Sequence, residues 1–365
     1  AVKATLSANT ELFGFDFGAD YYYSKTIDGV GFTDLRSVEQ TNNTLPDGRP
    51  RYYNPYFGSS DTNYDIMTYN TNQGRSHVAV VRFDKKFDWG LSFGGSYTWQ
   101  DVKDVSSATS STINSNYRYQ SFSDPNHPTY GISDNQIKWA FKYNIGFDHA
   151  FFGDYKTIIQ LFGETRAGRP YSFTMLDNTS NRSTVFGTVL TNGGGTSANS
   201  NLLYVPSGTN DPIVSYDSTA TQDALNAFID GSVLKNFRGQ IAPKNIARNR
   251  AFTRIDLHVE QQIPTFIGGS RIALFADINN LPNLINKNWG GLRQFGFPYN
   301  AALVRVQCLS TATPTGTAPG SGVVNTASTQ TCAQYRYSSF TSPNTSSVNF
   351  NGSLYAIRVG ARLTF

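Results

Sequence analysis

The sequence is poor in charged residues and in cysteine, and it lacks long apolar runs. Charged residues make up 15% of the 365 residues, scarcely more than the 14% that are aromatic. Low charge with many aromatics is unusual for a cytosolic protein, and the aromatics argue against a largely disordered chain. No apolar run approaches the roughly 20 residues that a membrane-spanning helix needs. A mean hydropathy of −0.37 likewise argues against a helical membrane protein.

The basic residues are also too few and too dispersed to form a cationic stripe. The formal net charge is only +4, so the sequence indicates no nucleic-acid partner. Residues 1–11 lack the apolar core of a signal peptide. We expect such a segment to have been removed, or the start of the protein to be missing.

Only two cysteines occur, Cys308 and Cys332, in a stretch rich in Ser, Thr and Gly. One pair in an otherwise cysteine-free chain predicts a loop disulfide formed in an oxidising compartment. Two free thiols are the alternative.

Strict alternation of apolar and polar residues is the main positive signal. In residues 353–365, Tyr355, Ile357 and Val359 share one parity, whereas Arg358 and Arg362 share the other. A period of two over 9–13 residues is typical of a strand with two unlike faces. The predicted strands are about 1–11, 14–26, 76–87, 90–102, 137–150, 156–170, 250–263, 270–280 and 353–365.

The connections between these nine strands alternate between short and long. Short turns bear glycine, and the four long connections span about 49, 34, 79 and 72 residues. In an antiparallel meander this places all short turns at one end. Short turns opposite long loops, with apolar residues outward and polar residues inward, are typical of a bacterial outer-membrane β-barrel. Aromatics near strand ends predict membrane-interface girdles. They include Tyr21, Tyr23, Trp99, Trp139, Phe147 and Phe151.

The strand count is odd, although single-chain bacterial barrels have even counts. We therefore expect an all-β antiparallel transmembrane barrel of which residues 1–365 form the C-terminal part, with earlier strands absent from this chain. A strand hidden in a long loop is the competing explanation. Residues 301–309 and 200–207 are candidates, although loop hairpins suit them better.

Several segments resemble the C-terminal half of TonB-dependent outer-membrane receptors of the Oar-like group. The matching stretches are FGETRAGRPYSFT (162–174), LKNFRGQIAPKNIARNRAFTRIDLHVEQQIPTF (234–266) and ADINNLPNLINKNWG (276–290), with a terminal Phe365. Phe365 resembles the signature that the barrel-assembly machinery reads in bacterial outer-membrane proteins. The resemblance implies a 22-stranded barrel in the outer membrane, with an N-terminal plug and a TonB-contacting box. Its implied partners are outer-membrane lipid, the plug, the remaining strands and the TonB complex.

No catalytic constellation can be assembled from the scattered histidines, so the sequence predicts no enzyme, no cofactor and no metal site. The polar parities instead predict a mixed-charge wall lining the barrel lumen or facing a plug. A metal site or relay at His258 is the alternative, and the charged wall suits its neighbours better. The predicted wall residues are Glu164, Arg166, Arg169, Arg254, Asp256, His258, Glu260, Asp277, Arg358 and Arg362.

The long loops contain one cluster suited to ligand binding and one helical pattern. Residues 46–58 combine arginines with aromatics that carry polar tips, as peptide or sugar binding requires; packing of the loop on itself is the alternative. The candidates are Arg49, Arg51, Tyr52, Tyr53, Tyr56 and Phe57. Residues 220–237 predict an amphipathic helix ended by Gly231.

The leading hypothesis is a TonB-dependent transporter whose loops capture a peptide, protein or other large solute, which the lumen passes when the plug moves. The alternative is a structural or adhesive barrel whose loops bind a surface protein.

Overall fold

The computed structural model describes residues 1–127, 129–177, 181–189, 200–265, 268–344 and 348–365. The strands are β1 (Val2–Leu12), β2 (Phe15–Lys25), β3 (Gly29–Asp34), β4 (Val38–Glu39), β5 (Tyr52–Tyr53), β6 (Ile66–Thr71), β7 (Gly74–Lys86), β8 (Leu91–Asp104), β9 (Gly131–Ile132), β10 (Trp139–Phe152), β11 (Tyr155–Arg166), β12 (Pro170–Leu176), β13 (Asn201–Leu202), β14 (Tyr204–Val205), β15 (Val214–Tyr216), β16 (Gln240–Ile241), β17 (Ala247–Arg248), β18 (Phe252–Pro264), β19 (Arg271–Asn279), β20 (Asn300–Leu309), β21 (Gln334–Ser338) and β22 (Ala356–Thr364). The helices are α1 (Ile113–Arg118), α2 (Thr219–Asp230), α3 (Leu281–Ile285) and α4 (Phe350–Ser353), with a 3-10 helix at Val233–Phe237. Within the described residues, no helix is long and apolar enough to cross a membrane.

Nine long strands form one antiparallel meander, which we call the main sheet. Its order is β1-β2-β7-β8-β10-β11-β18-β19-β22, and the short β9 pairs with the end of β8. The all-β antiparallel prediction is therefore confirmed, and each of the nine predicted strands is present within a few residues. The largest differences are at the ends of β11 and β22: β11 stops at Arg166 rather than near residue 170, and β22 begins at Ala356 rather than at 353.

The registers show why the strands could be recognised from the alternation of apolar and polar residues in the sequence. Across six consecutive strands, β8 to β22, one row of paired residues is wholly apolar, and the next row along the strands is almost wholly polar. The apolar row is Phe93, Ile145, Leu161, Leu257, Ile278 and Ile357. The polar row is Ser92, Gly146, Gln160, His258, Asp277 and Arg358. Paired residues share a face, so the sheet has an apolar face and a polar face throughout.

The short turns all lie at one end of the main sheet. The first of them places Phe13 and Gly14 at φ 53° and 67° between β1 and β2, the pattern of a two-residue hairpin turn that glycine favours. The turn between β18 and β19 includes Phe266 and Ile267, which lie outside the described residues. Phe365 follows β22 at the same end and is exposed.

The four long connections, residues 26–73, 105–138, 167–251 and 280–355, gather at the other end into what we call the loop domain. It holds a second, mixed sheet of order β13-β12-β20-β21-β15, in which β12 and β20 are parallel, with β17 beside β12. Its apolar core draws on three connections through residues such as Leu45, Leu225 and Tyr335. The Cys308–Cys332 disulfide predicted from the sequence is present in this domain.

Two further predictions for the loops can be compared with the structure. The helix expected at 220–237 is α2 followed by the 3-10 helix, with Gly231 as the C-cap of α2. The segments 301–309 and 200–207, expected to form loop hairpins, are strands of the loop domain, and β20 does pair antiparallel with the next strand of its own connection. There β20 pairs with both β21 and β12, while β13 and β14 pair with β12 and β16. Strand β20 therefore has one partner in its own connection, β21, and one in another connection, β12, whereas β13 and β14 pair with strands of their own connection.

Candidate functional site

The polar face of the main sheet carries a groove of about 620 Å³ across β8 to β22. Its lining includes Gln160, Asp256, His258, Asp277 and Arg358. The groove therefore lies where the sequence predicted a charged wall.

Asp277 is the centre of this wall, because both of its carboxylate oxygens are engaged from neighbouring strands. His258 Nδ1 on β18 lies 2.6 Å from Asp277 Oδ1, and Arg358 on β22 donates Nε to Oδ2 over 2.8 Å. One carboxylate thus joins three consecutive strands, which is the cross-strand charge pairing expected from the sequence.

A second acidic group lies deeper in the same face. Glu260 is only 5% exposed, and its Oε2 lies 3.8 Å from Arg362 Nη1 and 3.9 Å from His258 Nε2. The ring of Phe275 packs beside it, with Arg358 and Arg362 each 5.8 Å from the ring centre. A Cβ on Gly360, the residue opposite Phe275, would come within 2.5 Å of that ring. Glycine at 360 is what lets the aromatic lie flat among the arginines.

The remaining predicted wall residues form local pairs rather than a single network. Arg254 donates to Asp256 over 2.9 Å, although Glu164 lies directly opposite Arg254 in register. Arg166 lies 3.7 Å from Glu164 and packs over Phe252. Arg169 sits outside the main sheet and stacks on Tyr299 in the loop domain, 4.3 Å from its ring centre. The structure therefore brings nine of the ten predicted residues onto one face and places Arg169 above it. Whether this face meets a lumen or a plug stays a prediction.

The loop cluster at 46–58 divides into a buried part and an exposed part. Arg51 is completely buried, and its guanidinium donates to the carbonyls of Val185 and Thr184, over 2.7 and 2.8 Å, and to that of Gln330. Burial lowers the pKa of Arg51 to about 10. Its partners belong to two other loops, so Arg51 ties three connections together.

Arg49 and Tyr52 share this structural role. Arg49 donates to the Leu202 carbonyl over 2.9 Å, and the Tyr52 hydroxyl donates to Asp124 over 2.6 Å. Burial raises the pKa of the Tyr52 hydroxyl. For these three residues the structure shows the alternative, self-packing of the loops. Tyr53 is half-buried, whereas Tyr56 and Phe57 are exposed. The ligand-binding prediction therefore narrows to Tyr56 and Phe57.

A hub that the sequence did not single out attaches the loop domain to the main sheet. Lys244 is 1% exposed, and its Nζ lies 3.1 Å from Asp104 Oδ1 at the end of β8. The next residue, Asn245, has a left-handed backbone with φ 59° and donates Nδ2 to Asp134 over 2.7 Å. Asn245 also exchanges hydrogen bonds with the Ser172 hydroxyl. Asn245 lies within the stretch 234–266 that resembles Oar-like receptors. The contacts of this hub could not be predicted from the sequence, because its partners come from three separate segments.

The segment 276–290 is shaped by two asparagines. Asn280 donates Nδ2 to the carbonyls of Ser353 and Gly290 over 2.6 and 3.0 Å, and its own N–H donates to Asp256 over 2.7 Å. Asn283 donates to the Trp289 carbonyl over 3.0 Å. The loop after α3 is thus held by side-chain-to-backbone bonds, and Trp289 projects from it with 55% of its surface exposed.

Among the described residues, no group of three or more His, Cys, Asp or Glu side chains is arranged to hold a metal ion. The polar face can bind or exclude charged groups through fixed ion pairs, which suits docking or passage. In comparisons with known proteins, neither a protein-family model nor a curated protein matches the chain.

Proposed function

We propose that this chain is part of the wall and the extracellular cap of an outer-membrane transporter of the TonB-dependent, Oar-like type. The main sheet would span the outer membrane with its apolar face on lipid, and the loop domain would capture a peptide, protein or other large solute. The polar face would line the passage and contact a plug.

The observation that carries this proposal is the exposure of the apolar face. Val359 is 74% exposed, and Leu6, Val81, Ile145 and Leu274 are exposed on other strands of the same face. Exposed apolar patches of this extent mark contact with a membrane or with protein. The nine strands have 9 to 14 residues, enough for a tilted strand to cross a bilayer.

Aromatic rings near both ends of the face support a membrane rather than a protein partner. At the short-turn end the rings of Phe15, Phe93, Phe87, Trp89 and Phe147 follow one another at centroid distances of 5.8 to 6.2 Å. At the loop end Trp99 and Trp139 pair in register, and the Tyr21 hydroxyl bonds His77. Two girdles bordering an apolar band are typical of outer-membrane barrels.

The sheet edges support a larger barrel. In the described residues β1 pairs only with β2 and β22 only with β19. An open edge cannot face hydrocarbon, because its backbone N–H and C=O groups would lack partners. Further strands, from this or another polypeptide, would close the wall.

Two neighbouring residues of β10 test the orientation of the sheet. Ile145 lies on the apolar face and Asn144 on the polar face at the same height. Because both native cysteines are disulfide-bonded, a single new thiol can be labelled selectively in Ile145→Cys and in Asn144→Cys. In outer-membrane vesicles, a fluorophore at 145 should be quenched by spin-labelled acyl chains and protected from water-soluble maleimide. Position 144 should show the reverse, and equal labelling of both by the aqueous reagent would refute the membrane orientation.

The adhesive alternative is favoured by one observation, that the loop domain has its own buried core and disulfide. Energy coupling separates the two functions. Cells carrying the complete protein should deplete a defined peptide mixture from the medium only when the TonB complex is present. Retention of a surface protein that is independent of TonB, without peptide depletion, would establish the adhesive function instead.

A further inference from the structure

A second concavity, of about 520 Å³, lies on the opposite side of the sheet from the charged groove. One wall is the start of β18. There Thr253 and Ile255 lie on the apolar face, because they alternate along the strand with the same parity as Leu257 of the apolar row. The other wall is α3 and the loop after it, including Ile285 and Trp289. The concavity therefore opens where the apolar face meets the loop domain.

Its lining combines apolar surface with positive charge. Ile285 and Trp289 are 67% and 55% exposed, while Arg250 and Arg293 flank the apolar wall. Among the residues that line it, none is a carboxylate. Apolar side chains beside two guanidinium groups complement an amphiphile with an anionic head.

Hydrogen bonds within its own loop hold the site in shape. Asn283 fixes the Trp289 carbonyl, and the Asn280 amide fixes the Gly290 carbonyl. Gly290 has φ 61°, and a Cβ there would come within 2.0 Å of Asn280 Oδ1. Trp289 is thus positioned by the hydrogen-bonded backbone of residues 289 and 290 rather than by burial of its ring. A side chain that is already fixed in place lowers the entropic cost of binding.

We propose that this concavity binds one membrane lipid whose head group carries a phosphate. The phosphate would lie between Arg250 and Arg293, and an acyl chain would follow Ile255, Ile285 and Trp289. Tryptophan and arginine are suited to this depth, because the ring prefers the interface and the guanidinium pairs bidentately with phosphate. This inference rests on the proposed function, since it needs the apolar face to lie in a bilayer.

The test uses the protein purified from outer membranes in mild detergent, delipidated, and examined by native mass spectrometry with added phosphatidylglycerol or phosphatidylcholine. We expect one phosphatidylglycerol to be retained at least about tenfold more tightly than phosphatidylcholine. Arg250→Gln with Arg293→Gln should remove the preference. Lys287→Gln is the matched control, because Lys287 lies in the same loop but outside the lining, and it should behave as the wild type.

Two further experiments show whether a whole lipid or only an anion is bound, and whether a lost preference reflects misfolding. Trp289→Ala should weaken both lipids equally while keeping the preference for phosphatidylglycerol, since it removes only apolar contact. Inorganic phosphate should not displace the lipid; displacement by phosphate would show a simple anion site. A wild type without preference, or a double variant that retains it, would overturn the inference. Flotation with vesicles separates the two claims, since a chain that does not float refutes the proposed function, whereas one that floats without lipid preference refutes only this site.

Discussion

The main sheet and the loop domain use apolar side chains in opposite ways. On the main sheet Ile145 and Val359 are exposed, and the other face carries cross-strand ion pairs such as Arg358 with Asp277 and Arg362 with Glu260. In the loop domain Leu225, Leu303 and Tyr335 have no exposed surface, and they form a core like that of a water-soluble protein. The same chain therefore carries one region with an exposed apolar face, for which we propose contact with lipid, and one region with a buried apolar core.

The two regions also differ in what stabilises them. A barrel wall in lipid satisfies its backbone through neighbouring strands and gains nothing by hiding its apolar face. The loop domain depends on burial, on buried hydrogen-bonded groups such as Arg51, and on a covalent link. Perturbations can therefore be chosen that act on one region and spare the other.

Alkaline pH should produce the largest difference. Burial raises the pKa of Tyr171 and Tyr216 to about 12, and raises the pKa values of Tyr335 and Tyr337 well above the ordinary 10.0. These hydroxyls ionise in the unfolded loops before they do so in the folded ones, so their stabilising contribution is full below pH 10 and is lost as the pH rises toward 12. The lowered pKa values of Arg51, Arg182 and Arg248 act in the opposite direction, but burial also raises the pKa values of Tyr52, Tyr117 and Tyr204, so the raised groups outnumber the lowered ones.

We therefore expect the loop domain to unfold cooperatively between about pH 10 and pH 12 while the main sheet stays in the membrane. Tyrosinate absorbance and protease cleavage of the loops, followed together in vesicles, measure this. Early ionisation of the buried tyrosines with the loops still protected would contradict the expectation.

A charge placed in the apolar row should have the next largest effect. Leu257→Arg puts a cation in the middle of β18 on the apolar face; if this face lies in lipid as proposed, such a change costs up to about 4 kcal/mol near the bilayer centre. The matched change is His258→Arg, one residue along on the polar face, where the new guanidinium lies beside Asp277. Urea unfolding in vesicles should show a large loss for the first variant and under about 1 kcal/mol for the second. Equal losses would mean that the two faces do not meet different solvents.

These differences also explain how much the sequence could predict. The strands of the main sheet could be predicted because a sheet with two unlike faces imposes a period of two on the sequence, as in Leu257, His258, Val259 and Glu260. The charged wall followed from the same parity. Pairing within it did not, because Arg254 prefers Asp256 on its own strand to Glu164 opposite. That choice depends on side-chain conformers, which sequence patterns do not carry.

In the loop domain, only elements defined by neighbouring residues in the sequence could be predicted. Helix α2 could be predicted from its own spacing and from Gly231 at its end, whereas β13 and β14 are two residues long and are defined by distant partners. The interpretation of Arg51 as a ligand-binding residue failed for a related reason. An arginine beside tyrosines is typical of ligand sites. Its three carbonyl partners, more than 130 residues away, cannot be seen in the local pattern.

Removing the disulfide should destabilise the loop domain alone. Cys308 and Cys332 are 24 residues apart, and closing a loop of this size contributes about 3 kcal/mol. Replacing both cysteines by alanine should lower the midpoint of loop unfolding in urea and leave extraction of the main sheet from vesicles unchanged. A parallel loss in both regions would show that they unfold as one unit.

Arg51→Met should have the smallest of these effects and should still separate the regions. The change keeps much of the side-chain volume but leaves the carbonyls of Thr184, Val185 and Gln330 without the guanidinium, at a cost of about 2 kcal/mol. The control is Arg305→Met, because Arg305 lies exposed on β20 in the same domain. On intact cells, protease should cleave the loops of Arg51→Met faster than those of the control, while vesicle-embedded strands stay protected. If both variants are cleaved alike, Arg51 does not tie the three loops together, and the unity of the loop domain must come from its apolar core.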